Sequence, residues 1–164
     1  MNPDVWQIPW RGRDIVVKDF WPRRPLVRAT VGRVVTAREA RAWRALGDHP
    51  AVPRFHGVID AWAFAVEYRP GQRLSSQRGV GAGFLDALEA ALAEMHARGV
   101  VHLDLKHRDN VLQADADGAP VLIDFGSALA FRPGSLLARL VLPPLAWIDR
   151  LALRKWRRKL GAGG

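Results

Sequence analysis

The sequence predicts an α+β domain, rich in strands in its first half and helical in its second. Three observations predict it. Up to Tyr68 the chain runs in short β-branched and aromatic stretches, cut by Pro and Gly, around a single helical stretch. From Phe84 onward the apolar residues Phe84, Leu88, Leu92 and Met95 recur at helical spacing. The chain has 164 residues, 49% of them hydrophobic and 25% charged. That is the composition of one globular unit, at a size where a domain buries roughly 68–70% of its unfolded surface.

Taken in order, Asp14–Phe20 is a β-branched run, broken by Pro22 and Pro25, and Leu26–Val35 offers further strand-like residues. Thr36-x-x-Glu39 has the form of a capping box and opens a helix rich in Ala that stops at Gly47. Arg54–Ile59 and Trp62–Tyr68 read as two strands joined at Asp60-Ala61, and Arg69-Pro70-Gly71 ends the second sharply. The helix through Phe84 and Met95 stops at Gly99, and a short extended piece, Val100–His102, follows. Val111–Gln113 and Pro120–Ile123 flank the turn-rich Asp115-Ala-Asp-Gly118 as a β-hairpin. Helical pattern returns at Leu136, breaks at Pro143-Pro144 and resumes from Leu145 to Leu160, before a Gly161–Gly164 end expected to fray.

Composition excludes several chemistries. Without cysteine there is no disulfide, no thiolate metal site and no Cys nucleophile, which fits a reducing, cytoplasmic setting. The longest uncharged run, Leu140–Ile148, is nine residues and holds two prolines, far short of the roughly 20 a spanning helix needs. No basic segment followed by an apolar run marks the N-terminus as a secretory signal. Net charge is +9, and from Phe131 onward eight Arg or Lys stand against Asp149, which leaves +2 for everything before. A basic tail on a near-neutral body either meets an anionic surface or is a solvated helix. In that tail Leu145, Ile148, Ala152, Trp156 and Leu160 share one helical face, with Arg150, Arg154, Arg157 and Arg158 opposite. Asp149 intrudes on the apolar set and Trp147 on the basic one. Such a helix lies peripherally on the inner face of an anionic membrane, or caps the domain with its apolar face. The seven Trp are not interleaved with the basic residues, which argues against a nucleic-acid stacking platform.

The chemistry concentrates in His102-Leu-Asp-Leu-Lys-His-Arg-Asp-Asn-Val-Leu112 and Asp124-Phe-Gly126. If the hairpin forms, Asn110 enters its first strand and Asp124 leaves its second, so antiparallel pairing sets them side by side. Asp104 and Lys106 lie on the loop that feeds the same end. Two carboxylates, an amide and an ammonium then converge. A few oxygen donors, completed by water and phosphate oxygens, suit Mg²⁺.

His-x-Asp-x-Lys, then Asn, then a hairpin-length gap, then Asp-Phe-Gly resembles the catalytic and metal-binding loops of the protein-kinase-like superfamily. The resemblance covers roughly Asp14 to Ala130 and implies a minimal bilobal kinase-like fold. Residues 1–68 would form the N-lobe, 69–135 the hinge and catalytic C-lobe, and 136–164 basic amphipathic helices. ATP and Mg²⁺ would bind between the lobes, and the γ-phosphoryl would pass to a hydroxyl. By that resemblance Asp104 orients and deprotonates the attacking hydroxyl and Lys106 neutralises the transferred group. Asn110 and Asp124 hold Mg²⁺, Phe125 packs beneath the loop, and His102 is architectural. Lys18, within Ile15-Val-Val-Lys-Asp-Phe20, matches the ATP-phosphate lysine; the alternative is an edge-strand lysine guarding against aggregation. Glu39 matches its helix partner, unless the capping box claims it. Glu67 and Arg69 match the hinge, where their backbone groups would face adenine.

The chain departs from the pattern at four places. The loop is one residue longer than Asp-x-Lys-x-x-Asn, so Asp109 or Asn110 is the second metal ligand. Leu103 replaces the usual Arg. No Gly-x-Gly-x-x-Gly precedes Lys18, so the phosphates are covered poorly, or by Trp10-Arg11-Gly12-Arg13. No Ala-Pro-Glu signature follows Gly126. The compactness resembles the RIO and lipopolysaccharide-core-sugar (Kdo) kinases. The acceptor is then a protein Ser/Thr or a membrane glycolipid sugar, and the rival reading is a pseudokinase that keeps the fold without turnover.

Overall fold

The computed structural model describes residues 3–160. The expected fraying of Gly161–Gly164 and the outermost N-terminus lie outside the described residues. The first part is an antiparallel sheet in the order β1-β2-β4-β3, from β1 (Asp4–Trp10), β2 (Arg13–Asp19), β3 (Phe55–Val58) and β4 (Ala63–Glu67). Strand β1 was not expected. Its alternation is masked by Pro9, and its two-residue turn uses Arg11 and Gly12, both at positive φ (50° and 76°), where Asn-Gly would have announced a hairpin. That turn closes the end of the sheet farthest from Lys18, which pairs instead with Val5. The expectation that Trp10–Arg13 covers the phosphates is therefore wrong: strand register carries this segment away.

Leu26–Val35, expected as strand, is helical. Pro25 occupies the first helical position of α1 (Pro25–Val27), a π turn spans Arg28–Gly32, and α2 runs from Arg33 to Leu46. Packing overrules the β-branched preference here. Gly32 approaches so closely that a Cβ on it would stand 3.0 Å from Phe20 Cβ, while Val31 and Val34 face solvent. Thr36 consequently lies inside the helix, not at its start. Its buried hydroxyl has no partner among the described residues, so no capping box forms.

The second part holds a sheet of β5 (Gly71–Arg73), β7 (Val111–Ala114) and β8 (Pro120–Leu122) and a two-stranded pair of β6 (Val100–Val101) with β9 (Leu129–Ala130). Around them pack α3 (Ala82–Ala97) and α4 (Leu136–Leu160). One core joins Trp43 and Leu46 of α2, Phe64 of β4, Leu88 and Met95 of α3, and Trp156 of α4.

The long helix α4 corrects one expectation and decides between two others. It continues through Pro143 and Pro144. Its apolar residues Leu153, Trp156 and Leu160 face the core, and a fully buried Leu contributes roughly 1.5–3 kcal/mol. The helix is thus a structural wall that caps the domain, the second of the two readings of its apolar face, with Ile148 of the expected set left exposed. Asp149 shares this buried face. Its Oδ2 accepts hydrogen bonds from the His102 amide (2.9 Å) and from His96 Nε2 (2.9 Å), and its Oδ1 accepts from the Leu103 amide (2.9 Å). Leu103 sits at φ 65°, a conformation unfavourable for a branched residue, and Asp149 grips both amides that flank the turn. His102 is wholly buried, with its Nε2 donating to Ile123 O (3.0 Å) and its Nδ1 accepting from the Asp104 amide (3.4 Å). Burial holds its pKa below the ordinary 6.5, against the pull of nearby Asp149, Asp124 and Asp104.

Asp149→Ala leaves two buried amides without an acceptor, each costing about 1–3 kcal/mol. The expected result is a melting temperature lower by several degrees, since 1 kcal/mol shifts a domain of this size by about 2–4 °C. A melt unchanged within a degree or so would refute the clamp. The depressed His102 pKa sets a pH dependence. The unfolded chain binds this proton near pH 6.5 and the folded chain only at lower pH. Stability is therefore complete above that value and falls as pH drops below it, by up to about 1.4 kcal/mol per unit. Urea titrations across this window should show a shallower pH slope in His102→Gln than in the wild type.

Candidate active site

Lys18 lies on β2, an inner strand flanked by β1 and β4, with Val5 and Phe64 as its cross-strand neighbours. An inner strand needs no guard against edge pairing, so that reading of Lys18 falls. Residues 16 and 18 share the face that looks toward α2 and the hairpin. Lys18 Nζ lies 2.7 Å from Glu39 Oε1 and 2.7 Å from Asp124 Oδ1. Glu39 is 1% exposed on the inward face of α2, with Ala40 and Trp43. Burial alone would depress the Lys18 pKa, but the carboxylates of Glu39 and Asp124 outweigh it and hold the ammonium above its ordinary value. For Asp124 burial works upward, yet Lys18 and the Gly126 amide prevail and keep the carboxyl below its ordinary range. For Glu39 burial wins, and its pKa is raised despite Lys18.

The β7–β8 hairpin pairs Val111 with Leu122, and the Ile123 amide donates to Asn110 O (3.0 Å). Asn110 and Asp124 thus stand at the same end of the hairpin. Asp124 is left-handed (φ 62°, ψ 71°), a conformation that Asp tolerates better than most residues and that Lys18 and the Gly126 amide hold in place. The Gly126 Cα borders both carboxylates: a Cβ there would make ordinary contacts, 3.4 Å from Asp124 Oδ1 and 3.7 Å from Glu39 Oε2. Arg38 of α2 donates to the Gly126 carbonyl and ties the helix to this turn. Phe125 is buried between Trp43 (ring centroids 4.7 Å apart) and His102 (4.8 Å).

On the preceding loop Asn110 Nδ2 donates to both Asp104 O (3.0 Å) and Asp104 Oδ2 (3.1 Å). Lys106 Nζ and His107 Nε2 stand 3.7 and 3.6 Å from Asp104 Oδ1, both on exposed side chains. Asp109 also borders the cleft between the two parts, but its carboxylate is engaged: it accepts from the Ser75 hydroxyl and lies 3.8 Å from Arg73 Nη1. The 3₁₀ turn Arg108–Asn110 turns the two neighbours to different sides, Asn110 inward and Asp109 outward.

A cleft of about 440 Å³ runs between the two parts, roofed by Val5 and Val16 and floored by Leu112 and Ile123. Glu67 and Arg69 line it, as do Asn110, Lys18 and Asp124. The Glu67 carboxylate turns away to the Arg54 amide (3.0 Å) and Arg69 Nε (3.1 Å). A second cavity of about 410 Å³ shares Lys18 and Asp124 with the first and holds Asp104. Lys18, Glu39, Glu67, Arg69, Asp104, Asn110 and Asp124 line these two spaces, and Lys106 lines neither but stands exposed beside Asp104. The sequence reading missed Asp149 and Arg38 as positioning residues. A carboxylate on the apolar face of a helix was the available signal for Asp149; nothing distinguished Arg38 from its neighbours.

No family model matches the chain. It is 31% identical over 101 residues to serine/threonine-protein kinase C of Synechocystis sp., covering 54% of this chain and 19% of that protein. It is 29% identical over 98 residues to serine/threonine-protein kinase D of the same organism, covering 55% and 19%. The chain thus spans about a fifth of the length of the curated relatives it matches. Among solved structures it resembles the Rio2 kinase from Chaetomium thermophilum (TM-score 0.67, 16% identity), over 98% of this chain and 55% of the other. It also resembles the Rio2 kinase-ADP/Mg²⁺-phosphoaspartate complex from that organism (TM-score 0.64, 14% identity), over 99% and 60%. With its strand-rich first part, helical second part and intervening cleft, the chain has a compact, bilobal protein-kinase-like fold.

Proposed function

We propose that the chain is a phosphotransferase that moves the γ-phosphoryl of ATP, with Mg²⁺, to a hydroxyl acceptor. One observation carries this reading. Glu67 and Arg69, Asn110, Lys18 with Asp124, and Asp104 line two cavities that meet at Lys18 and Asp124. That is the succession a base, a polyphosphate and an attacking hydroxyl require. The structural neighbour named above was solved with ADP and Mg²⁺, which agrees with this succession.

The residues fit a magnesium ion. Asp124 offers a carboxylate held in its charged form, and Asn110 offers a carboxamide oxygen, because its Nδ2 is engaged by Asp104. Asp109 is engaged by Ser75 and Arg73, which favours Asn110 as the second ligand. Among the described residues no cluster of three or more His, Asp or Glu forms an all-protein cage, and Mg²⁺ does not need one. When bound, the ion would neutralise charge on the phosphate oxygens. The Glu67 carbonyl and Arg69 amide would hold adenine. Lys18, oriented by Glu39, would bind phosphate oxygens. Asp104 would orient the acceptor hydroxyl and take its proton at a carboxylate oxygen. Lys106 would stabilise charge on the transferred group. The acceptor is a protein Ser/Thr hydroxyl, which Lys106 favours, or a sugar hydroxyl of a membrane glycolipid, which the basic α4 favours.

The second reading is a pseudokinase. It draws on the position of the Arg11-Gly12 turn, which leaves the phosphate end of the cleft without a glycine-rich cover among the described residues.

Asp104→Asn is nearly isosteric, so melting and ATP affinity should hold while turnover falls about 10²–10⁴-fold, the usual effect of losing an oriented base. A variant within a few-fold of wild type would remove Asp104 from the role of base. A wild type that binds ATP yet transfers nothing to any acceptor would favour the pseudokinase. Calorimetry separates the two candidate ligands: Asn110→Ala should abolish the Mg²⁺-dependent part of ATP affinity, and Asp109→Ala should retain it. The opposite pattern would place the ligand at Asp109.

A further inference from the structure

We infer that the outward face of α4 docks onto an anionic lipid bilayer. This is not the face that the tail's periodicity suggested: of that set Trp156 and Leu160 lie in the core, and only Ile148 stands exposed. On the opposite side a second apolar stripe stands in solvent. Leu136, Leu137 and Leu140 are 73%, 60% and 67% exposed, and Trp147, Ile148 and Leu151 each more than 40%. At about 100° per residue these six fall on one side of the helix, along about 22 Å of its length. Single exposed apolar residues need no explanation, but a continuous stripe marks a contact surface.

Charge identifies the occupant. Beyond Leu151 the same side continues as Arg154, Lys155 and Arg158, flanked by Arg139, Arg150 and Lys159. Among the described residues no carboxylate pairs with any of these six, whereas Arg157 is held by Asp86 and Glu89 of α3 at 2.7 and 2.6 Å. The only acid on α4, Asp149, is buried against the catalytic loop. The exposed face is therefore apolar with a purely cationic continuation and border. A second copy of this chain is a poor partner, because pairing two such faces sets six cations against six. An anionic bilayer accepts both features at once: apolar side chains enter the acyl boundary while Lys and Arg meet the headgroups. Trp147 is suited to that boundary, with its ring 4.3 Å below the Arg154 guanidinium. Among the described residues no helix is long and apolar enough to cross a membrane, so α4 would lie along the surface. The catalytic loop hangs from this helix through Asp149, so docking would hold the cleft near the bilayer.

The test is cosedimentation of the full chain with vesicles of phosphatidylcholine alone and of phosphatidylcholine with phosphatidylglycerol. The wild type should bind only the anionic vesicles, and less as salt rises. Arg150→Gln/Arg154→Gln/Arg158→Gln should weaken that binding roughly a hundredfold. Leu137→Ser/Leu140→Ser/Leu151→Ser should also release the protein. Both triple variants should melt like the wild type, since every altered side chain is solvent-exposed. Asp104→Asn should bind vesicles like the wild type, which separates this inference from the phosphotransfer reading. Absence of binding to anionic vesicles, or equal binding by the wild type and both triple variants, would overturn it. So would a dimer that the Leu variant dissolves, or lipid-free binding to an acidic protein or polynucleotide through the same face.

Discussion

The carboxylate of Asp149 is the constraint on which the working part of this protein depends. It reaches from α4 to the amides of His102 and Leu103 at the start of the loop that carries Asp104 and Asn110, and to His96 on α3. Leu103 could not hold φ 65° cheaply without such an anchor. From that fixed point the loop runs to Asp104, whose position is set a second time by Asn110. His102 closes the frame by bonding Ile123 O, one residue before Asp124. The loop from His102 to Asn110, the β7–β8 hairpin and α4 are therefore one hydrogen-bonded assembly. The same assembly couples the interior of α4 to its exterior, so a contact made by the outward stripe would bear on the helix that holds the loop.

Lys18 is the complementary joint between the two lobes. One ammonium joins a strand of the first lobe, a helix of the same lobe and the turn after β8. Its neighbourhood holds two carboxylates for one cation. Burial raises the Glu39 pKa, while Lys18 and the Gly126 amide keep that of Asp124 low against its own burial. The packing beneath this arrangement is Phe125 between Trp43 and His102.

Much of the site was legible because it is carried by local spacing. The hairpin could be read from two apolar runs around a turn-rich segment, and antiparallel pairing then required Asn110 and Asp124 to meet. Lys18 and Glu39 were legible as residue types but ambiguous in role. The sheet order resolved the first, by making β2 an inner strand, and the helix start resolved the second, by burying Thr36 in mid-helix. Asp109 and Asn110 could not be told apart from spacing, because a 3₁₀ turn, not an extended loop, orients them.

The amino-acid sequence by itself determined the α+β class, the helical period of α3, the hairpin and the set of residues that meet at its open end. These depend on neighbours a few positions apart. Only the tertiary structure decided the conformation of Leu26–Val35, where packing of Gly32 on Phe20 outweighs β-branched preference. It also decided which of two apolar stripes on α4 turns inward. Periodicity measures the angular spacing of side chains and cannot say on which side the rest of the protein lies. Asp149 marks the buried side, for only there can a carboxylate find three donors from two other elements at once.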